Sequence, residues 1–139
     1  MIPLFKVFMP ETVLEPLSKT LFSGYIGEGP RVKEFEERFG RWVGNENALM
    51  VNSGTSALHL AVHLSMESPE SEVITTPMTC LATNAPIVRS GGKVVWADID
   101  ERTGLIDPKS IEKKITKNTC LLLWFIGAVI RVKLMKSML

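Results

Sequence analysis

The sequence is poor in the residues that build crosslinked, metal-bound or polyanion-binding proteins. Cys80 and Cys120 are its only cysteines, too few for a disulfide framework or a zinc ligand set. Its two histidines, His59 and His63, stand four apart on one predicted helix and can face the same way. However, Leu60 follows His59 where a zincin motif has Glu, and two imidazoles leave a zinc shell incomplete. Packing or surface roles are expected for both, and no metal site. The 16 Lys and Arg nearly balance the 15 Asp and Glu, for a net charge of +1. That leaves no electrostatic footprint for nucleic acid. The first seven residues lack a basic stretch followed by a long apolar run, so no secretory signal is expected and a reducing cytoplasm is the default compartment. No internal repeat or low-complexity segment stands out.

What remains is ordinary globular material: 139 residues, 45% apolar and 22% charged, enough for one domain with a real core. The most informative stretch is residues 48–61. Leu49, Met50 and Val51 have the length and character of a short buried strand, and Asn52, Ser53 and Gly54 punctuate it. Beyond the turn, Ala57, Leu58, Ala61, Val62 and Ser65 recur at helical spacing. A chain that turns through Gly into a helix leaves unpaired N–H groups at the positive end of the helix dipole. Such a place binds phosphate, and Ser53, Thr55 and Ser56 add hydroxyl donors. An ordinary helix junction capped by Ser and Thr would carry the same residues, so both readings stand at this point.

Elsewhere the pattern alternates strands and helices. Residues 1–11 read as extended, and Thr12 with Glu15 can form a capping box for a helix to Leu21. Residues 23–30 make a loop with three glycines and Tyr25, suited either to connecting or to closing over a ligand or partner. Pro30 opens a helix whose apolar stripe is Val32, Phe35, Phe39 and Trp42 or Val43, stopped by Gly44. Strands follow at 72–76 and 93–99, with a helix at 79–88 between them that Gly91 and Gly92 end. Asp107 caps a last helix from Pro108 to about Ile115. Strands alternating with helices at this spacing predict an α/β fold with a mostly parallel sheet. Asp98 and Asp100 lie near a strand end, where α/β proteins often place function; loop-forming chemistry is the expected role for both.

Taken in order, these segments resemble the N-terminal part of the DegT/DnrJ-type sugar aminotransferases, which are fold-type I enzymes using pyridoxal 5′-phosphate (PLP). The resemblance runs from about Pro3 to about Thr119. It rests on Ser23-Gly24-Tyr25-Ile26 with Gly29-Pro30, Phe35-Glu36 with Phe39, and Asn52-Ser53-Gly54-Thr55-Ser56-Ala57-Leu58. Val73-Ile74-Thr75-Thr76-Pro77, Ala82-Thr83 and Asp98-Ile99-Asp100 complete the set. It implies a three-layer α/β architecture, a partial large domain with a mostly parallel sheet and flanking helices. Gly54, Thr55 and Ser56 would hold the PLP phosphate. Cys80 falls where the family usually has an aromatic ring stacked on the pyridine, and a thiol packs there without stacking. Tyr25 and Ile26 would help shape the sugar pocket near a dimer's active site. The implied partners are a nucleotide-linked keto sugar, an amino donor such as glutamate, and a second copy of the chain. Products of such a reaction feed surface-polysaccharide or antibiotic-sugar synthesis.

Fold-type I chemistry also needs a lysine for the Schiff base and an Asp for the pyridine nitrogen. The family places both downstream of the matching part. No lysine here stands in that context and Asp98 does not match that Asp, so no residue of the chain is given a catalytic role. A non-catalytic phosphate-ligand or interaction domain is the alternative. The end of the chain departs further. Where the family expects His-Trp-Gly-Gly-Tyr-Pro, residues 124–131 read Trp-Phe-Ile-Gly-Ala-Val-Ile-Arg. Plausible codons for that stretch, read two bases later, spell Val-His-Trp-Gly-Gly-Tyr-Pro. A frameshift near residues 119–122 is therefore expected, dividing the chain into 1–119 and an out-of-frame tail, 120–139. The tail's apolar run is shorter than the ~20 residues of a spanning helix, so membrane insertion is not expected. An incomplete sheet would leave edge and apolar surface open to aggregation.

Overall fold

The computed structural model describes residues 6–124, and the sequence's expectations for 125–139 lie outside it. The chain divides into two compact units, one ending at Met50 and one beginning at Val51.

In the first unit, a single turn of 3-10 helix at Glu11–Val13 leads into α1 (Leu14–Phe22). The expected capping box is not made. Thr12 lies inside the 3-10 turn rather than ahead of the helix, and no side chain caps α1. Glu15 instead pairs with Lys19, one turn on. Helix α2 (Pro30–Val43) starts on its proline and ends on Gly44, which adopts φ +73°. The N–H of Asn45 then reaches back to the Gly40 carbonyl at 2.9 Å, the bond that closes a helix through a left-handed glycine. Phe35 stacks on Phe39, and Phe39 meets Trp42, each at 5.8 Å between ring centroids. All three rings are exposed, so the predicted stripe exists as a surface of α2.

The second unit contains α3 (Gly54–Ser65), β1 (Glu72–Thr75), α4 (Leu81–Arg89), β2 (Lys93–Trp96), α5 (Pro108–Lys114) and β3 (Thr119–Leu122). The strands form one parallel sheet in the order β2-β1-β3. Parallel neighbours need crossovers, and α4 and α5 supply them. Side chains alternate across the sheet as a strand's two-residue period requires. On one face Val73, Val94 and Leu121 pack with Val62 of α3 and Ile87 of α4. On the other, Ile74, Val95 and Leu122 pack with Ala97 and with Ile111 of α5. Helices on both faces of a parallel sheet make the three-layer α/β arrangement expected from the sequence. β1 is buried along its whole length.

Several expected boundaries move. Residues 49–51 are not a strand; they run irregularly, with Leu49 67% exposed. An apolar triplet becomes a strand only beside a neighbour that takes its backbone hydrogen bonds, and residues 49–51 enter none of the described ladders. Helix α4 begins at Leu81 rather than 79, because residues 77–80 form a turn. β2 stops at Trp96, after which Ile99 makes only an antiparallel bridge to Ile106. The end of α4 follows expectation in detail. Gly91, at φ +82°, donates to Val88, and Gly92 to Ile87, the paired bonds of a Schellman motif. At Asp107 the carboxylate accepts from the N–H of Lys109 at 3.0 Å, capping α5. The β3 ladder slips by one residue at Cys120, whose thiol donates to the Glu72 carbonyl at 3.5 Å. Residues 120–122 thus belong to the same strand as Thr119.

Glu72 ties the amino-terminal edge of the sheet. Its buried carboxylate accepts from Thr116 Oγ1 at 2.6 Å and pairs with Lys93 at 3.2 Å. The Thr116 hydroxyl, and then Lys93, hold this carboxyl below its usual range against the opposing effect of burial. A carboxylate depressed in the folded state stabilises the fold above its unfolded pKa, and that contribution disappears as the pH falls through the folded value. Denaturant unfolding of the wild type and Glu72→Gln should therefore show the largest gap near neutrality. The gap should close as the pH drops through and below the ordinary carboxylate range; a gap that stays constant with pH would contradict the assignment.

Candidate functional site

The candidate site begins where the irregular segment 49–53 turns into α3. Ser53 is extended (φ −161°, ψ 156°) and its Oγ accepts from the N–H of Ser56 at 3.1 Å, an N-cap. Ser56 Oγ donates to Asn52 Oδ1 at 2.7 Å and lies 2.9 Å from Ser53 Oγ. The first bond into the helix is Ala57 N–H to Ser53 carbonyl, at 3.1 Å. The N–H groups of Gly54 and Thr55 precede it and have no intrahelical acceptor. Thr55 is exposed. A Cβ placed on Gly54 would meet nothing within 4 Å, so the space beside the first residue of the helix is open. No acidic side chain occupies the first turn of α3 to neutralise the dipole. The capped-junction and anion-site readings are thus the same atoms: Ser53 caps one donor while two others remain for a ligand.

Cys80 stands in a second turn, between β1 and α4. It is the N-cap residue of α4, exposed, and its thiol makes no capping bond. The two turns lie at one end of the sheet. α3 packs along α4, and Met66, at the C-terminal end of α3, sits against Gly92 and Ile87 at the C-terminal end of α4. With the two C-termini together, the two N-termini share the opposite end. For α4 that end is the carboxyl edge of β1, the usual ligand edge of a parallel sheet. The turns carrying Gly54, Thr55 and Ser56 and carrying Cys80 thus lie toward the same end of the α3–α4 pair.

A residue that the sequence reading passed over holds this edge. Asn84, buried in the first turns of α4, accepts from Thr75 Oγ1 at 2.8 Å and donates from Nδ2 to the Thr76 carbonyl at 3.0 Å. Thr76 Oγ1 in turn accepts from the N–H of Met78 at 3.2 Å. The available signal was an Asn inside a predicted helix, where that residue is disfavoured unless it has a bond to make.

The other candidates fall out as follows. Tyr25 and Ile26 belong to the first unit and line one cleft of about 490 Å³, with Lys19 and Arg31 on its walls. Tyr25 lies over Gly29, where a Cβ would come within 2.7 Å of the Tyr25 Cβ. Asp100 does loop chemistry, as expected. Its Oδ1 accepts from the N–H groups of Arg102 at 2.8 Å and Thr103 at 3.2 Å. The Arg102 N–H, chiefly, holds its carboxyl below the usual range. The Asp98 N–H donates to the buried Ser110 Oγ at 2.9 Å, and its carbonyl accepts from the Asp107 N–H. Among the described residues no group of three His, Cys, Asp or Glu side chains could hold a metal ion. No helix among them is long and apolar enough to cross a membrane.

The sequence pattern of the DegT/DnrJ/EryC1/StrS aminotransferase family matches residues 9–138. The chain belongs to that family. Its relatives include the spore coat polysaccharide biosynthesis protein SpsC of Bacillus subtilis, 42% identical over 106 residues, 76% of this chain and 27% of SpsC. Another is the UDP-4-amino-4,6-dideoxy-N-acetyl-beta-L-altrosamine transaminase of Campylobacter jejuni, 38% identical over 76% of this chain and 28% of the transaminase. The PLP form of Spr1654 from Streptococcus pneumoniae superposes with a TM-score of 0.76 at 31% identity, over 87% of this chain and 31% of that one. The family member described here thus spans under a third of the length of these curated relatives. Family membership agrees with the resemblance read from the motifs, and with the fold.

Replacing Ser53 by Ala should remove the α3 cap and lower the unfolding free energy by about 1 kcal/mol. Ser53→Gly should cost only a few tenths. Equal losses in the two variants would mean that the hydroxyl is not acting as a cap.

Proposed function

We propose that this chain carries the phosphate-holding part of a PLP-dependent aminotransferase that acts on nucleotide-linked keto sugars. The observation that carries the reading is the open turn at residues 53–56, with two free backbone donors at an unneutralised helix N-terminus. The residues fit the cofactor's phosphate. The N–H groups of Gly54 and Thr55 and the Thr55 and Ser56 hydroxyls would hold the phosphate. Cys80 would lie against the pyridine ring. By the family resemblance, Tyr25 and Ile26 would contact the sugar. When bound, PLP supplies the electron sink that lets an amino group pass between a donor such as glutamate and a keto carbon. The protein residues named here bind and orient; none of them moves the reacting proton. That step belongs to a lysine in the part of the family sequence that follows, and no lysine of this chain stands in its context. The chain by itself therefore binds the cofactor non-covalently and does not transaminate. Dimerisation, as the family resemblance implies, belongs to the same proposal.

The segment from residue 120 is proposed to diverge from the family through a frameshift near residues 119–122. The alternative codon reading supports it. The gene sequence decides: the motif His-Trp-Gly-Gly-Tyr-Pro should be encoded in the overlapping frame, and its absence there would sink the proposal.

Binding is tested with pyridoxamine 5′-phosphate, which carries ring and phosphate but no aldehyde to react with surface lysines. The full chain should bind it, with inorganic phosphate competing. Thr55→Val combined with Ser56→Ala should weaken binding about 10- to 100-fold, the range for losing hydrogen bonds to a charged group. Inorganic phosphate bound as well as the ring compound would favour a general phosphate-ligand domain. No binding of either would end the reading.

A further inference from the structure

We propose that Asn84 is a positioning residue for the candidate site: its amide fixes the turn at residues 77–80, and so places Cys80 and the N-terminus of α4 at the ligand edge. The inference rests on the reading above for what the edge binds, but its geometry stands separately. β1 ends its ladder at Thr75, whose carbonyl accepts from Ala97 N–H at 2.8 Å. One residue later the chain leaves the sheet while still buried, and Thr76 is only 2% exposed. A buried carbonyl beyond the last strand pair needs a donor from elsewhere. Asn84 Nδ2 is that donor, and Thr75 Oγ1, fully buried, fixes which way the amide faces by donating to Oδ1. A single amide thus joins the last strand residue, the first turn residue and the first turns of α4.

The turn is built outward from this clamp. Thr76 Oγ1 accepts from Met78 N–H, Thr79 N–H donates to the Pro77 carbonyl at 2.9 Å, and Thr79 Oγ1 donates to Thr83 Oγ1 at 3.0 Å. Thr83 N–H closes on the Cys80 carbonyl at 2.9 Å. Each bond is local, at most four residues long. Among the described hydrogen bonds, those of Asn84, spanning eight and nine residues, tie this local turn to the sheet. Asp in this position would keep the acceptor and lose the donor, setting a carboxylate oxygen against the Thr76 carbonyl.

The test uses the full chain, with alkylation of Cys80 by iodoacetamide read by peptide mass spectrometry, and amide exchange read at Met78 and Thr79. Asn84→Asp should accelerate exchange at these amides about tenfold through loss of the anchoring bond. It should also change the Cys80 alkylation rate, and it should abolish the protection that pyridoxamine 5′-phosphate gives Cys80 in the wild type. Ile111→Val, which destabilises the opposite face of the sheet, should leave all three readouts at wild-type values. Unchanged exchange, alkylation and protection in Asn84→Asp would overturn the inference. So would equal changes in Ile111→Val at matched loss of stability, which would make Asn84 merely structural. If the wild type gains no protection, the cofactor reading fails. Exchange and alkylation then decide the positioning role alone: changes confined to Asn84→Asp uphold it and their absence overturns it. Should Asn84→Asp not fold, Asn84→Gln, which moves the amide one methylene outward, is read in the same way.

Discussion

β1 has a hydrogen-bonding neighbour on each side and a helical layer on each face, so each of its polar groups must be answered by protein rather than by water. Its middle, Val73 and Ile74, meets this by supplying one apolar side chain to each core. Its ends are polar and still buried, and they recruit partners from distant sequence. Glu72 takes Thr116 and Lys93; Thr75 and Thr76 take Asn84. One end is fastened to β2 and to the turn before β3, the other to the first turns of α4. Both follow from burying a strand whose termini carry hydrogen-bonding groups.

The ligand edge shows how capping and binding share one set of atoms. A helix N-terminus leaves several N–H groups without acceptors, and Ser53 answers only one. The donors left over at Gly54 and Thr55 cost little in water, and they become useful when an anion replaces that water. The geometry that caps α3 also leaves two backbone donors at the positive end of its dipole. In α4 no side chain caps the first turn, and Cys80 leaves its own edge correspondingly open.

Local signals were legible wherever a single residue imposes its own backbone geometry. Pro30, Gly44, Gly91 and Asp107 mark helix ends in the sequence and do so in the structure, because each acts through its own φ or its own side chain. Strand-like and helix-like segments alternating along the chain likewise predicted a mostly parallel sheet with flanking helices. Residues 49–51 misled, since an apolar run says that a segment suits a strand without saying that a neighbour exists. Thr12 misled because a capping box needs its Thr at the N-cap itself, and the 3-10 turn after Pro10 leaves it one residue ahead of that position, which Val13 holds.

The sequence by itself determined the class of fold, the ordered motifs of the family and the phosphate-suited turn, all of which depend on residues close together in the chain. The tertiary structure decided which of those residues meet. It packed α3 along α4, joined Glu72 to Thr116 across 44 positions, and gave the buried Thr76 carbonyl a partner in Asn84. No local pattern encodes such pairings, because they are fixed by which buried polar groups are left over once the sheet and helices have packed. The turn at residues 52–61 was readable as a cradle from its own residues. That α3 and α4 start toward the same end of the helix pair follows only from how they pack.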